Sequence, residues 1–167
     1  MGYDPAEMDN AADQIQKIRA LHLPVDELSA CNLMAFYLSW TMKRGQMSNP
    51  FLSQYREVVE AVQAGKGPDL RAFIRDELDG QLVGPMFNKI GRAFAAYYYG
   101  AYSNGQESPF FPSDIDNYAI GVIGQERNYS DEIQDEAYLF IPFDEDYYQA
   151  MAKVIEERFE NWQGQDF

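Results

Sequence analysis

A mainly α-helical chain, a single-domain bundle of about six helices with room for a small β element near residues 117–143, is the architecture this sequence predicts. Three observations carry that expectation. Apolar residues recur at helical spacing through most of residues 1–105. Stop and start signals such as Pro24, Gly45, Pro50, Gly65 and Pro68 fall between those stretches rather than inside them. A chain of 167 residues, 46% hydrophobic and 15% aromatic, can bury one sizeable core and is too apolar for disorder.

The elements follow in order. Residues 6–21 carry Met8, Ala11, Ala12, Ile15 and Ile18 at i, i+3, i+4, i+7 spacing, which predicts a first helix ended by Pro24. Residues 25–43 are apolar on two sides. Leu28, Cys31, Met34, Leu38 and Met42 form one side, and Leu33, Phe36, Tyr37 and Trp40 the other. A helix apolar nearly all round belongs in the centre of a core. Arg44-Gly45 supplies a basic last turn and a C-terminal glycine.

Ser48-Asn49-Pro50 opens the next helix, with proline suited to the first turn, and Gly65-Lys66-Gly67 closes it. Pro68 precedes a short helix bearing Leu70, Phe73, Ile74 and Leu78, and Asp79-Gly80 marks a turn. Residues 85–99 show a further stripe of Met86, Phe87, Ile90, Phe94, Tyr97 and Tyr98. Gly91 inside that stripe costs up to ~1 kcal/mol against alanine unless a close helix crossing offsets it.

Residues 103–112 read as a loop, 117–123 as a strand or a helical turn, 126–136 as an exposed acidic loop and 137–143 as a short strand or extended buried segment. Asp144-Glu145-Asp146 places acids at a helix N-terminus, where the helix dipole favours them. The last helix carries Tyr148, Met151, Ile155, Phe159 and Trp162. One domain over 1–167 is expected. Tyr37, Leu38, Trp40, Phe73, Phe94 and Phe159 should share its core.

Charge divides the chain unevenly. Residues 1–105 hold 12 acids and 10 bases, a net of −2; residues 106–167 hold 15 acids and 3 bases, a net of −12. Tyr118, Tyr129, Tyr138 and Tyr147 are among the aromatics interleaved with those acids. An acidic, aromatic-edged surface suits a basic protein partner and repels nucleic acid. The residues expected to meet that partner are Tyr129, Asp131, Glu132, Asp135 and Glu136, with Asp144, Glu145 and Asp146.

Other chemistries find little support. His22 is the only histidine, and with Cys31 the only cysteine, an ordinary zinc ligand set is missing. Cys31 lies on an apolar helix face and reads as a buried, inert thiol. Asp76, Glu77 and Asp79 gather at one helix end and read as solvated carboxylates, and no nucleotide-binding or nucleophile motif is present. No catalytic, cofactor-binding or metal residue is expected. The start of the chain shows no signal peptide and no stretch reaches 18 apolar residues, so a cytoplasmic protein away from the membrane is expected.

Two stretches carry a family resemblance. The first is Ala30-Cys31-Asn32-Leu33-Met34-Ala35-Phe36-Tyr37-Leu38-Ser39-Trp40 with Lys43-Arg44-Gly45 and Met47-Ser48. The second runs from Leu70-Arg71-Ala72-Phe73-Ile74 through Leu78-Asp79-Gly80-Gln81-Leu82 to Phe87-Asn88, Gly91-Arg92-Ala93-Phe94-Ala95 and Tyr97-Tyr98. Arg158-Phe159-Glu160-Asn161-Trp162 is a weaker third. The pattern resembles small bacterial domains of poorly defined function that are similar to immunity proteins of polymorphic-toxin and contact-dependent growth inhibition systems. The resemblance implies a cytoplasmic inhibitor of a basic toxin, of nuclease type. An enzyme using a carboxylate pair or a metal is the alternative, and a structural adaptor a third. The quoted motifs consist mostly of core and turn residues, so they should specify a fold rather than a site.

Overall fold

Residues 32–42 are buried without a break, and the rest of the fold is arranged round them. The computed structural model describes residues 7–10, 12–22, 26–98, 114 and 145–163. The chain is mainly helical. Its order is β1 (Glu7–Asn10), α1 (Ala12–Ala20), a 3-10 turn (Glu27–Cys31), α2 (Asn32–Arg44), α3 (Asn49–Gln63), α4 (Leu70–Glu77), β2 (Gln81–Val83), a second 3-10 turn (Gly84–Met86), α5 (Lys89–Tyr98) and α6 (Glu145–Gln163). Residues 117–143, where a β element was expected, lie outside the described residues.

Three expected helices start later than their periodicity suggests. The first gives up its opening residues to β1, which pairs antiparallel with β2 through Glu7 and Val83, Asp9 and Leu82, and Asn10 and Gln81. Asp9 and Asn10 are poor helix formers, and the β2 backbone offers them a ladder instead. The second begins with a 3-10 turn: Asp26 is its cap, accepting from the Leu28 N–H at 2.7 Å, and regular helix starts at Asn32. The third is displaced because Phe87 is extended and forms an isolated antiparallel bridge with Met47. α3 and α4 follow their signals. Ser48 accepts from the Phe51 N–H with Pro50 in the first turn, and Asp69 caps α4 by accepting from the Arg71 N–H at 3.0 Å.

The core joins every described helix. Trp40, Phe94 and Phe159 meet with ring centroids 5.0–5.6 Å apart, bringing α2, α5 and α6 together. Such tilted and edge-on pairs suit the aromatic quadrupole. Phe73 belongs to the same buried cluster as Tyr37, Leu38 and these three rings. A second aromatic run links α3 to α4, where Tyr55 lies 4.9 Å from Phe51 and 5.1 Å from Phe73.

The turn after α2 and the start of α5 are fastened backbone to backbone. Gly45 caps α2 in the left-handed region, at φ 74°. The Asn88 N–H donates to the Gln46 carbonyl at 2.8 Å, and the Asn88 amide donates to the Gly45 carbonyl at 3.1 Å. Asn88 also caps α5, accepting from the Gly91 N–H at 2.8 Å. A Cβ at Gly91 would lie 2.7 Å from the Gln46 carbonyl oxygen, so glycine is what lets α5 approach. Gly45, Asn88 and Gly91 of this joint come from the motif stretches quoted above, and Gln46 lies between two of them. Their residues thus perform structural work, as their character predicted.

Candidate functional site

α6 is held to the core along the stripe of Tyr148, Met151, Ile155 and Phe159, all buried. Its orientation is fixed by polar contacts at the edge of that stripe. The Trp40 indole N–H donates to Glu156 Oε1 at 3.2 Å, and Arg44 pairs with Glu156 Oε2 at 3.1 Å. The guanidinium of Arg44 also lies over the Phe159 ring, 4.9 Å from its centroid. On the far edge, Arg158 donates to both oxygens of Asp114, at 3.0 and 3.1 Å, and the Tyr98 hydroxyl donates to the same carboxylate. Burial, reinforced by Asp114, raises the Tyr98 hydroxyl far above its ordinary pKa. It therefore stays a neutral donor.

These contacts engage two of the cations around α6 and leave its outer flank acidic. Asp146, Glu157 and Glu160 are exposed there with Lys153; positions 146, 153, 157 and 160 recur at helical spacing opposite the buried stripe. Glu145 is also exposed and accepts from the Gln149 amide at 2.6 Å. Glu145 and Asp146 occupy the first turn of α6, as their position in the sequence predicts, where the helix dipole favours acids.

Two shallow clefts lie beside this helix, of about 170 and 410 Å³, and share Lys43 and Tyr148. Lys43 Nζ sits 4.1 Å from the Tyr148 ring centroid. Burial pushes the Tyr148 hydroxyl up to about 12, against the hydrogen bond with Ser39, and the nearby charges of Glu145 and Glu156 push the same way as burial. Glu145 lines the smaller cleft and Glu156 the larger.

Of the residues expected to meet a partner, Glu145 and Asp146 are brought onto one exposed turn. Tyr129, Asp131, Glu132, Asp135, Glu136 and Asp144 lie outside the described residues. Glu157 and Glu160 were not singled out from sequence, although the period that placed Met151, Ile155 and Phe159 inside also placed them outside. Glu156 carries no such signal, because its partner Trp40 is 116 positions away.

The other candidates take structural places. Cys31 is buried in the core, and His22 is exposed at the turn after α1 in a left-handed conformation, φ 51°. Asn32 is fully buried and accepts from Arg71 at 3.3 Å. Among the described residues no group of three or more His, Cys, Asp or Glu is placed to hold a metal ion, and no helix is long and apolar enough to cross a membrane.

Residues 7–132 match a domain of unknown function, DUF7832, a span that takes in the whole joint between α2 and α5 and stops before α6. No curated protein and no solved structure matches the chain. With well over half of its length matched, the chain belongs to the DUF7832 family.

Proposed function

We propose that this chain is a cytoplasmic immunity protein: a binding protein, not an enzyme, that occupies a basic toxin domain of nuclease type. The observation that carries the reading is the segregation of charge, with a net of −12 in residues 106–167. The exposed acids Asp146, Glu157 and Glu160 on the outer flank of α6 support it. A nuclease must present Arg and Lys to phosphates, and a carboxylate surface meets those same groups. Blocking is steric: carboxylates cover the phosphate-binding cations while aromatic side chains such as Tyr129 fill adjacent pockets. Charge sets the association rate and desolvated aromatic anchors set the lifetime.

Association kinetics with a toxin domain encoded beside this gene, at two ionic strengths, tests the reading. One variant neutralises Asp131, Glu132, Asp135 and Glu136 to Asn and Gln. A second does the same to Asp146, Glu157 and Glu160. Each should slow association at low salt by about tenfold and flatten its salt dependence, because peripheral charges act on the on-rate. Tyr129→Ala should instead raise the off-rate. Wild-type association rates in both charge variants at low salt would remove this surface from consideration.

A further inference from the structure

A cleft of about 320 Å³ lies between the start of α3, the end of α4 and β2, and combines apolar and acidic lining. Its lining includes Pro50, Leu78, Pro85 and Met86, with Tyr55 beside them. Pro50 and Pro85 are exposed and Met86 half-buried, so apolar surface faces the opening. Glu77 and Asp79 line the same cleft, and both are exposed.

The two acids stand apart from their neighbours in sequence. α4 has two arginines, and each is engaged by another carboxylate: Arg71 by Asp69 at 2.9 Å and Arg75 by Asp76 at 2.8 Å. Among the described residues, Glu77 and Asp79 have no cation. They also sit at the carbonyl end of α4, where the helix disfavours negative charge. The local backbone fixes them there. Leu78 and Gly80 both donate to the Ile74 carbonyl, at 3.1 and 2.8 Å, and Asp79 takes a left-handed conformation, φ 56°.

Tyr55 completes the arrangement. Its hydroxyl donates to the Glu77 carbonyl at 3.3 Å, and its backbone leaves helical geometry at φ −123°, ψ 30°, inside α3. Phe51 and Phe73 flank its ring. The ring is thereby tied to the same helix end as the two carboxylates.

We infer that this cleft takes an arginine side chain from a protein partner, its aliphatic stem against Pro50, Pro85 and Met86 and its guanidinium at Glu77 and Asp79. Three complementarities converge on that occupant. The apolar lining suits a stem of three methylenes. Two carboxylates suit a planar fork of donors. The helix carbonyl end adds negative potential. That the occupant belongs to a protein rests on the basic-partner reading above; the preference for a guanidinium does not.

The test uses the whole chain and a small probe. N-acetyl-arginine amide is titrated into the protein and followed by amide NMR, with N-acetyl-citrulline amide as the uncharged match in shape. Arginine should shift the signals of Tyr55, Leu78, Asp79 and Gln81, and citrulline should leave them nearly unmoved. Glu77→Gln with Asp79→Asn should weaken arginine binding about five- to tenfold. Both side chains are exposed and asparagine tolerates the left-handed conformation, so the fold should persist. In wild type, added salt should weaken the arginine response.

Equal responses to arginine and citrulline, shifts confined to other residues, or full binding by the double variant would each overturn the inference. So would a response to calcium alone with none to arginine. Because no toxin enters this titration, its failure leaves the immunity reading standing, and failure of the toxin kinetics leaves the cleft standing.

Discussion

Replacing Gly91 with alanine sets helix propensity against packing, and the structure says which wins. Alanine in a helix interior gains about 1 kcal/mol over glycine. The new methyl group would sit 2.7 Å from the Gln46 carbonyl oxygen, 2.9 Å from Gln46 Cβ and 3.3 Å from Asn88 Oδ1. The first two atoms belong to the backbone or hang directly from it, so no rotamer change clears them. Overpacking of this kind costs about 1–3 kcal/mol. Separating the strands of the joint also weakens the Asn88 N–H bond to Gln46, worth about 1 kcal/mol. The balance is a net loss of about 1–3 kcal/mol, despite the better helix former. Urea unfolding followed by circular dichroism measures it, with an unchanged m-value showing that the unfolded state is not the cause. Ala93→Gly, exposed on the same helix, serves as the control and should lose about 1 kcal/mol from propensity alone. If Gly91→Ala is as stable as the natural chain, or more so, the crossing of α5 over the 45–48 turn is not as close as described and the reasoning fails.

Two further predictions concern polar contacts inside the fold. Burial alone would raise the Asp69 carboxyl, but the side-chain and backbone hydrogen bonds from Arg71 outweigh it and hold it below the usual carboxylate range. Asp69→Ala should therefore cost about 1 kcal/mol at neutral pH through the lost cap. Because the folded pKa is depressed, that contribution is full above the ordinary carboxylate pKa near ~3.9 and fades as pH falls through the lower folded value. The gap between the urea midpoints of the two proteins should hold above about pH 5 and narrow as pH falls below about 4; a gap that stays constant with pH would show that Arg71 is not the cause. Asp114→Asn removes the carboxylate shared by Tyr98 and Arg158, whose side chain is 36% exposed against 13% for Asp114. A loss of about 1–3 kcal/mol is expected, read as a fall in Tm of several degrees; an unchanged Tm would mean the three groups do not support one another.

What the sequence conveyed depended on how local each feature is. The central place of α2 was legible because apolar residues on both sides of a helix leave no face for water, and residues 32–42 are indeed all buried. Gly91 was legible as an anomaly, a poor helix former inside a good stripe, and the crossing with Gln46 explains it. β1 was not legible: its partner lies beyond four helices, and the ladder to Gln81–Val83 overrode a stripe that looked helical through Met8. The late start of α5 has the same origin, since Phe87 answers to Met47 rather than to its neighbours. The candidate surfaces divide likewise. Glu145 and Asp146 were visible as a helix-start signal, and Glu157 and Glu160 were present in the same period but overshadowed by the denser run at 131–136. Glu77 and Asp79 read as solvated carboxylates, because nothing local shows that both arginines of α4 are engaged elsewhere.

The burial of α2 on every side has a consequence for how this protein comes together. A helix with one wet face can form early and wait for its neighbours. α2 has none: it touches α3, α4, α6 and the first 3-10 turn. With four elements sharing one central helix, unfolding should occur in one step seen alike by every probe. Among the described elements α6 is synthesised last. Until it docks, Trp40 and Phe94 lack their contacts with Phe159, and a growing chain carries that aromatic surface unpaired.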